Sequence, residues 1–221
     1  MMDPITITDP RVENYLYAVL SPRDAVLQEM ERQAVERDIP IVGPAVGRLL
    51  YQYARIIGAH NIFEMGSAIG YSTLWWAHAV GEGGKVHYTD GSEKNAREAR
   101  GYFERAGIAN RIDVHVGDAL DSLEGRKEQF DIIFCDVDKH DYPRAGRLAT
   151  SRVRKGGLFI TDNTLWKGKV AYVAGNPELR PDPTDAKTLA VAELNRMLYE
   201  SRDWFTTIIP LRDGVTVAMR Q

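Results

Sequence analysis

The chain has one cysteine, Cys135, in 221 residues, so no disulfide can form within it and no cysteine cluster can hold a metal. No apolar run approaches the ~20 residues that cross a bilayer. The opening MMDPITITDP puts acids and prolines where a signal peptide needs a basic start and an apolar stretch. Blocks of like charge are missing as well. Lys and Arg number 28 against 31 Asp and Glu, a net charge of −3, and Arg152–Lys155 is the one short basic cluster. Such a balance argues against nucleic acid or an anionic membrane as partner. There are no internal repeats and no low-complexity tracts. What is present, 44% hydrophobic and 27% charged residues, suits a cytoplasmic globular protein of one domain, 1–221, that buries its core without staples.

The pattern divides the chain in two. Residues 1–57 read as a helical cap. Asp9-Pro10 opens one helix with Val12, Tyr15, Leu16, Val19 and Leu20 on one face, and Ser21-Pro22 opens a second that runs to about Arg37. A third runs from Pro44 to Ile57. From residue 58 onward short apolar runs alternate with helical spacing. The strands are Asn61–Met65, Lys85–Thr89, Ile112–Val116, Phe130–Cys135 and Leu158–Thr161. Between them lie helices over Ser72–Val80, Glu93–Ala106, a short Ala119–Leu123 and Tyr142–Val153. This alternation implies an α/β, doubly wound sheet, mostly parallel and covered on both faces. A last helix over Thr184–Ser201 precedes Trp204–Pro210 and Val215–Met219, joined around Arg212-Asp213-Gly214, which reads as an antiparallel hairpin ending a seven-stranded sheet. The proline-rich stretch Val170–Asp185 is a long loop, of the kind more often functional than idle.

Two strand ends suggest a nucleoside cofactor. Glu64-Met65-Gly66-Ser67-Ala68-Ile69-Gly70-Tyr71-Ser72 turns from strand to helix on glycines, and Asp90, 24 residues after Gly66, ends the next strand, where an acid can accept both ribose hydroxyls. Ala68 breaks the GxGxxG dinucleotide fingerprint. These segments, with Gly117-Asp118-Ala119-Leu120, resemble successive motifs of class I S-adenosylmethionine (SAM)-dependent methyltransferases, whose Rossmann-like sheet ends in an antiparallel strand. The resemblance implies Glu64 and Gly66 along the methionine part, Ser72 on its carboxylate, Asp90 on the ribose and Ala119 beside the adenine. Val42, Ser67, Gly91, Asp118, Asp136 and Asp138 complete the cofactor contacts. Read without it, Ser72 and Asp118 are equally good helix N-caps.

The fourth and fifth strands end in Asp136-Val137-Asp138-Lys139 and Asp162-Asn163-Thr164-Leu165-Trp166. Asp136, Asp162 and Asn163 offer two carboxylates and an amide oxygen at one sheet edge, a donor set for Mg²⁺ or Mn²⁺ that leaves positions open; helix capping is the alternative reading of both acids. As a set these residues resemble the metal-dependent catechol and caffeoyl-coenzyme A O-methyltransferases, from about Val42 to the C-terminus. The resemblance implies a divalent cation (Mg²⁺, Mn²⁺ or Ca²⁺) on Asp136, Asp162 and Asn163, with Asp136 and Lys139 as the catalytic pair. Lys139 takes or stabilises the phenolic proton. It further implies a homodimer, a small aromatic diol as substrate, and a substrate lid over 167–185 with Trp166, Lys167 and Tyr172 shaping the acceptor pocket. A catechol hydroxyl is mostly protonated at neutral pH, near the tyrosine value; a dication across both oxygens favours the oxyanion and fixes the ring.

The chain departs from the plant enzymes at Val42-Gly43-Pro44-Ala45-Val46-Gly47-Arg48, where they carry an amide-rich acidic stretch, and at Lys167, where they carry an asparagine. Two cations near the expected pocket, Arg48 and Lys167, motivate an anionic acceptor. Alternative readings are a methyltransferase on a non-catechol acceptor, one acting on RNA or protein, a non-catalytic SAM-binding protein, and an NAD-dependent dehydrogenase. The last is opposed by the missing fingerprint and by the absence of a Tyr-x-x-x-Lys pair.

Overall fold

The computed structural model describes residues 7–174 and 185–221. Seven strands form one sheet: β1 (Asn61–Met65), β2 (Lys85–Asp90), β3 (Ile112–Val116), β4 (Phe130–Cys135), β5 (Val153–Thr161), β6 (Trp204–Ile209) and β7 (Val215–Arg220). Their order is β3-β2-β1-β4-β5-β7-β6. The first five run parallel, β7 lies antiparallel to β5, and β6 antiparallel to β7. Register fixes the carboxyl edge. Met65 pairs with Thr89 and with Cys135, and Cys135 pairs with Thr161. The residues that follow, Gly66, Asp90, Asp136 and Asp162, therefore stand in a row where the strand order reverses between β1 and β4, the usual ligand crevice of such sheets.

Strand alternation sends Ile62, Ile132, Phe134 and Ile160 to one face and Phe63, Ile133, Cys135 and Phe159 to the other. The first face is covered by α2 (Ala25–Arg37), α3 (Gly43–Ile56), α4 (Tyr71–Val80) and α5 (Glu93–Arg105), the second by α6 (Ala119–Glu124), α7 (Tyr142–Arg152) and α9 (Ala186–Glu200). Trp76 is fully buried and meets Phe134 edge-on at 5.7 Å. Side chains buried this completely contribute roughly 1.5–3 kcal/mol each. No helix among the described residues is long and apolar enough to cross a membrane.

The architecture is the α/β doubly wound sheet with an antiparallel end that the pattern implied, with three local differences. The second helix begins at Ala25, not at Ser21-Pro22, because the Asp24 carboxylate accepts from Leu27 N and caps it. β5 starts at Val153, because Gly156 at φ 72° carries the strand through a stretch that reads as a turn. Helix α1 (Pro10–Ala18) is capped by Asp9 as expected, yet it buries none of its residues, and Val12, Tyr15 and Val19 face solvent. Of the expected lid, Ala171–Ala174 forms one short turn, α8, and residues 175–184 lie outside the described residues.

Candidate active site

A cleft of about 990 Å³ opens above the carboxyl edge between β1, β4 and β5. Its floor is Gly66, Asp90, Asp136, Val137, Asp138, Lys139, Asp162 and Asn163, and Trp166 and Arg212 stand on the wall beyond β5. Its roof is the cap: Tyr17 from α1, Glu31 and Ala34 from α2, and the 38–41 segment. A smaller cavity of about 320 Å³ shares Gly66, Asp90, Asp136 and Asp138 and adds Gly91, Asp118 and Ala119. It lies where the resemblance puts ribose and adenine.

The glycine turn is shaped for a ligand to approach its backbone. Gly66 sits at φ 81°, and a Cβ there would lie 2.5 Å from the Asp136 carbonyl oxygen, so no larger residue fits between β1 and β4. Asp90 holds this turn: one carboxylate oxygen accepts from Ala68 N at 2.9 Å, the other from Ser92 N at 2.8 Å and Asn95 Nδ2 at 3.0 Å. Beneath it Glu64 is wholly buried. Thr73 Oγ1 donates to its Oε2, while Oε1 has no hydrogen bond among the described residues. Burial pushes the Glu64 carboxyl up to about 7 against the pull of the Ser72, Thr73 and Ser67 hydroxyls. Ser72 is 6% exposed and Ser67 3%, so both stand behind the cleft wall rather than on it. Ser72 is no cap either, since Gly70 occupies the N-cap of α4. Asp118 does cap α6, accepting from Asp121 N at 2.9 Å. Val42 is packed in the core at 4% exposure, and what it offers is its carbonyl, bonded by Arg212.

The acceptor wall gathers what two strand ends supply. Lys139 Nζ donates to Asp136 Oδ1 at 2.9 Å and to the Val137 carbonyl at 3.3 Å, and it lies 4.7 Å above the Tyr142 ring and 5.8 Å from Trp166. Asp162 is 4% exposed. Burial, and then repulsion from Asp136, raises its carboxyl above the usual carboxylate range. Neither Asp136 nor Asp162 caps a helix; the cap is Asp138, which accepts from His140 N at 3.1 Å. The other Asp138 oxygen accepts from Lys187 Nζ of α9 at 2.7 Å. Asn163 and Trp166 line the cleft in left-handed backbone conformations, at φ 53° and 46°.

Some expected residues fall elsewhere. Lys167 is exposed and off the lining, and its backbone N donates to Asp213 Oδ1. Tyr172 is half-buried and also off the lining among the described residues. Arg48 donates to the Ser21 carbonyl at 3.1 Å and does not reach the cleft. Conversely Tyr17, Lys187 and Arg212 line the cleft without having been singled out. For Arg212 a signal existed. An antiparallel last strand begins where the parallel strands end, so the turn before β7 had to arrive at the site edge.

Known proteins resemble this chain in sequence and fold. The family model described as O-methyltransferase matches residues 18–221. A catechol O-methyltransferase from Niastella koreensis is 32% identical over 165 residues, covering 72% of this chain and 75% of that protein. Caffeoyl-CoA O-methyltransferase 1 from Eucalyptus globulus is 33% identical over 179 residues, covering 79% and 72%. An O-methyltransferase from Bacillus cereus, solved in complex with SAH, superposes with a TM-score of 0.83 at 31% identity, over 96% of this chain and 97% of that one. With a glycine turn, the Asp90 carboxylate and the Asp136–Lys139 pair in one cleft, and the family model matched from residue 18 to 221, the chain belongs to the O-methyltransferase family.

Proposed function

We propose that this O-methyltransferase takes its methyl group from SAM and delivers it to one hydroxyl of a small aromatic vicinal diol, with a divalent cation at Asp136, Asp162 and Asn163. The donor half rests on the strand-end row: the Gly66 turn admits no side chain, Asp90 keeps acceptor capacity beside the smaller cavity, and Glu64 leaves a buried oxygen unpaired behind it. The observation that carries the acceptor half is Asp162. It is 4% exposed, beside Asp136, with no Lys or Arg within 4.0 Å among the described residues. Two carboxylates that repel one another in a cleft fit a cation better than they fit each other. Among the described residues no three His, Cys, Asp or Glu side chains gather as a ligand set, so Asn163 has to supply the third donor. Its Nδ2 now lies 3.5 Å from Asp162 Oδ2, and turning the amide over presents its oxygen instead.

A cation held by Asp136, Asp162 and Asn163 would lower the cost of ionising a diol hydroxyl. The chain's own residues do the rest. Lys139, fixed as an ammonium by Asp136 and the Val137 carbonyl, stabilises the phenolate by charge as the phenolic proton leaves to solvent, while Trp166 and the cap residues line the cleft above it. The test is methyl transfer from SAM to catechol and caffeate, read by product mass, with Mg²⁺ and with EDTA. Product with Mg²⁺ only is expected, with Lys139→Ala slowing turnover about 100-fold and leaving SAM affinity nearly unchanged. Product in EDTA removes the cation from the reading; no product in either condition removes the diol.

A further inference from the structure

Four cations line the cleft, and three have partners. Arg23 pairs with Glu31 at 2.5 Å, Lys139 with Asp136 at 2.9 Å and Lys187 with Asp138 at 2.7 Å. Arg212 has no carboxylate within 4.0 Å among the described residues. Its Nη1 donates to the Ile41 carbonyl at 2.9 Å and to the Val42 carbonyl, which fixes the plane of the guanidinium. Of the five N–H groups of an arginine, the three on Nε and Nη2 have no acceptor among the described residues, and neither nitrogen is sealed from solvent. The backbone holds the residue at φ 51°, where glycine is comfortable and an arginine is strained. A Cβ on Gly43 would lie 3.0 Å from Nη1 and 3.5 Å from the Tyr17 hydroxyl, so guanidinium and phenol sit side by side over the start of α3. That helix end carries partial positive charge of its own and disfavours a cation. The Asp162 and Asp213 carboxylates draw on the guanidinium from a distance, and among the described residues none comes within ion-pair reach.

The position is on the acceptor side. Leu165 N donates to the Asp213 carbonyl at 2.9 Å and Thr164 N to the Gly214 carbonyl at 3.1 Å, which ties the 212–214 turn to the segment between Asn163 and Trp166. We propose that Arg212 is a specificity-determining residue: its free edge pairs with a carboxylate carried by the aromatic acceptor, with the Tyr17 hydroxyl as a second donor. The planar fork matches a carboxylate in two-point fashion, which a lysine cannot reproduce. The inference rests on the acceptor reading above, and it moves the anion preference expected of Arg48 and Lys167 to a residue that faces the cleft.

Calorimetric binding to the SAH- and Mg²⁺-loaded protein tests it, using 3,4-dihydroxybenzoate, catechol and 4-hydroxybenzoate on wild type, Arg212→Gly and Arg212→Lys. Glycine suits the backbone at this position, so the first variant keeps its fold. Expected is a preference of at least about tenfold for 3,4-dihydroxybenzoate over catechol in wild type, lost in Arg212→Gly and partial in Arg212→Lys, with SAH affinity changed less than about twofold. A preference that survives in Arg212→Gly overturns the proposal. So does a matching loss of SAH affinity, which assigns the guanidinium to the donor's carboxylate. Arg212-dependent binding of 4-hydroxybenzoate with none of catechol upholds the pairing while removing the diol reading. Binding of no carboxylate in an Arg212-dependent way overturns it outright.

Discussion

Glu64 is the costliest side chain of the donor half: fully buried, one oxygen unpaired, its carboxyl raised to about 7 by burial. A group whose folded pKa lies above its unfolded value of 4.5 is protonated in both states below that pH. As the pH rises from 4.5 to about 7 the unfolded chain releases the proton first, and stability falls. Glu64→Gln keeps the shape without the titration. Urea unfolding of the SAH-free protein should find the variant more stable than wild type at pH 8, on the order of 1–3 kcal/mol, and equal to it at pH 4.5 and below. Equal midpoints at pH 8 refute this. The residues that spacing made legible are those at strand ends, because a strand end dictates its own position at the sheet edge: Gly66, Asp90, Asp136 and Asp162 all stand there. Arg212, Tyr17 and Lys187 escaped notice because what brings them in is not local. Their roles follow from a hairpin register, a helix crossing and an ion pair 49 residues apart in sequence.

Among the elements, the β1–α4 turn tolerates least. Gly66→Ala adds a positive-φ strain to a collision with a backbone carbonyl that cannot swing away, the one at 2.5 Å from the built Cβ. Thermal and calorimetric comparison should give a loss of about 2–4 kcal/mol and no measurable SAH binding. Gly81→Ala is the control: φ is 69° but no atom lies within 4 Å, so it should cost about 1 kcal/mol and leave SAH binding intact. SAH binding by Gly66→Ala at wild-type strength removes the turn from the donor site. Element types were readable from periodicity, since buried parallel strands and amphipathic helices repeat differently along the chain. Boundaries were readable where a cap or glycine dominates locally. The start of α2 was misplaced because two residues competed for the cap and Asp24 won, and that of β5 because Gly156-Gly157 reads as a turn in sequence but continues a strand beside Asp131. The exposed apolar face of α1 was unreadable, as amphipathic spacing does not say which face finds a neighbour.

At the scale of the whole molecule, His87 is an acid-sensitive point away from the cleft. It is stacked between Phe63 and His115, at 6.2 and 5.7 Å, and bonded to Asn61 Oδ1 at 3.1 Å; burial lowers its pKa to about 4. Below pH 6.5 the unfolded chain takes up a proton that the folded one refuses until about 4, so stability declines across that window, by at most about 1.4 kcal/mol per pH unit. His87→Phe should flatten the decline in urea midpoints between pH 6.5 and 4; an unchanged slope rejects it. The sheet order has a different kind of consequence. Gly66 and Asp90 belong to the β1–β2 side, Asp162, Asn163 and Arg212 to the β5–β7 side, and Asp136 to Lys139 stand at the end of β4 between them. In the proposed reading, donor and acceptor thus fall to separate halves of one ribbon. A lineage can rewrite the short turn before its last strand and acquire a new clientele, while the machinery that handles the methyl group is inherited untouched.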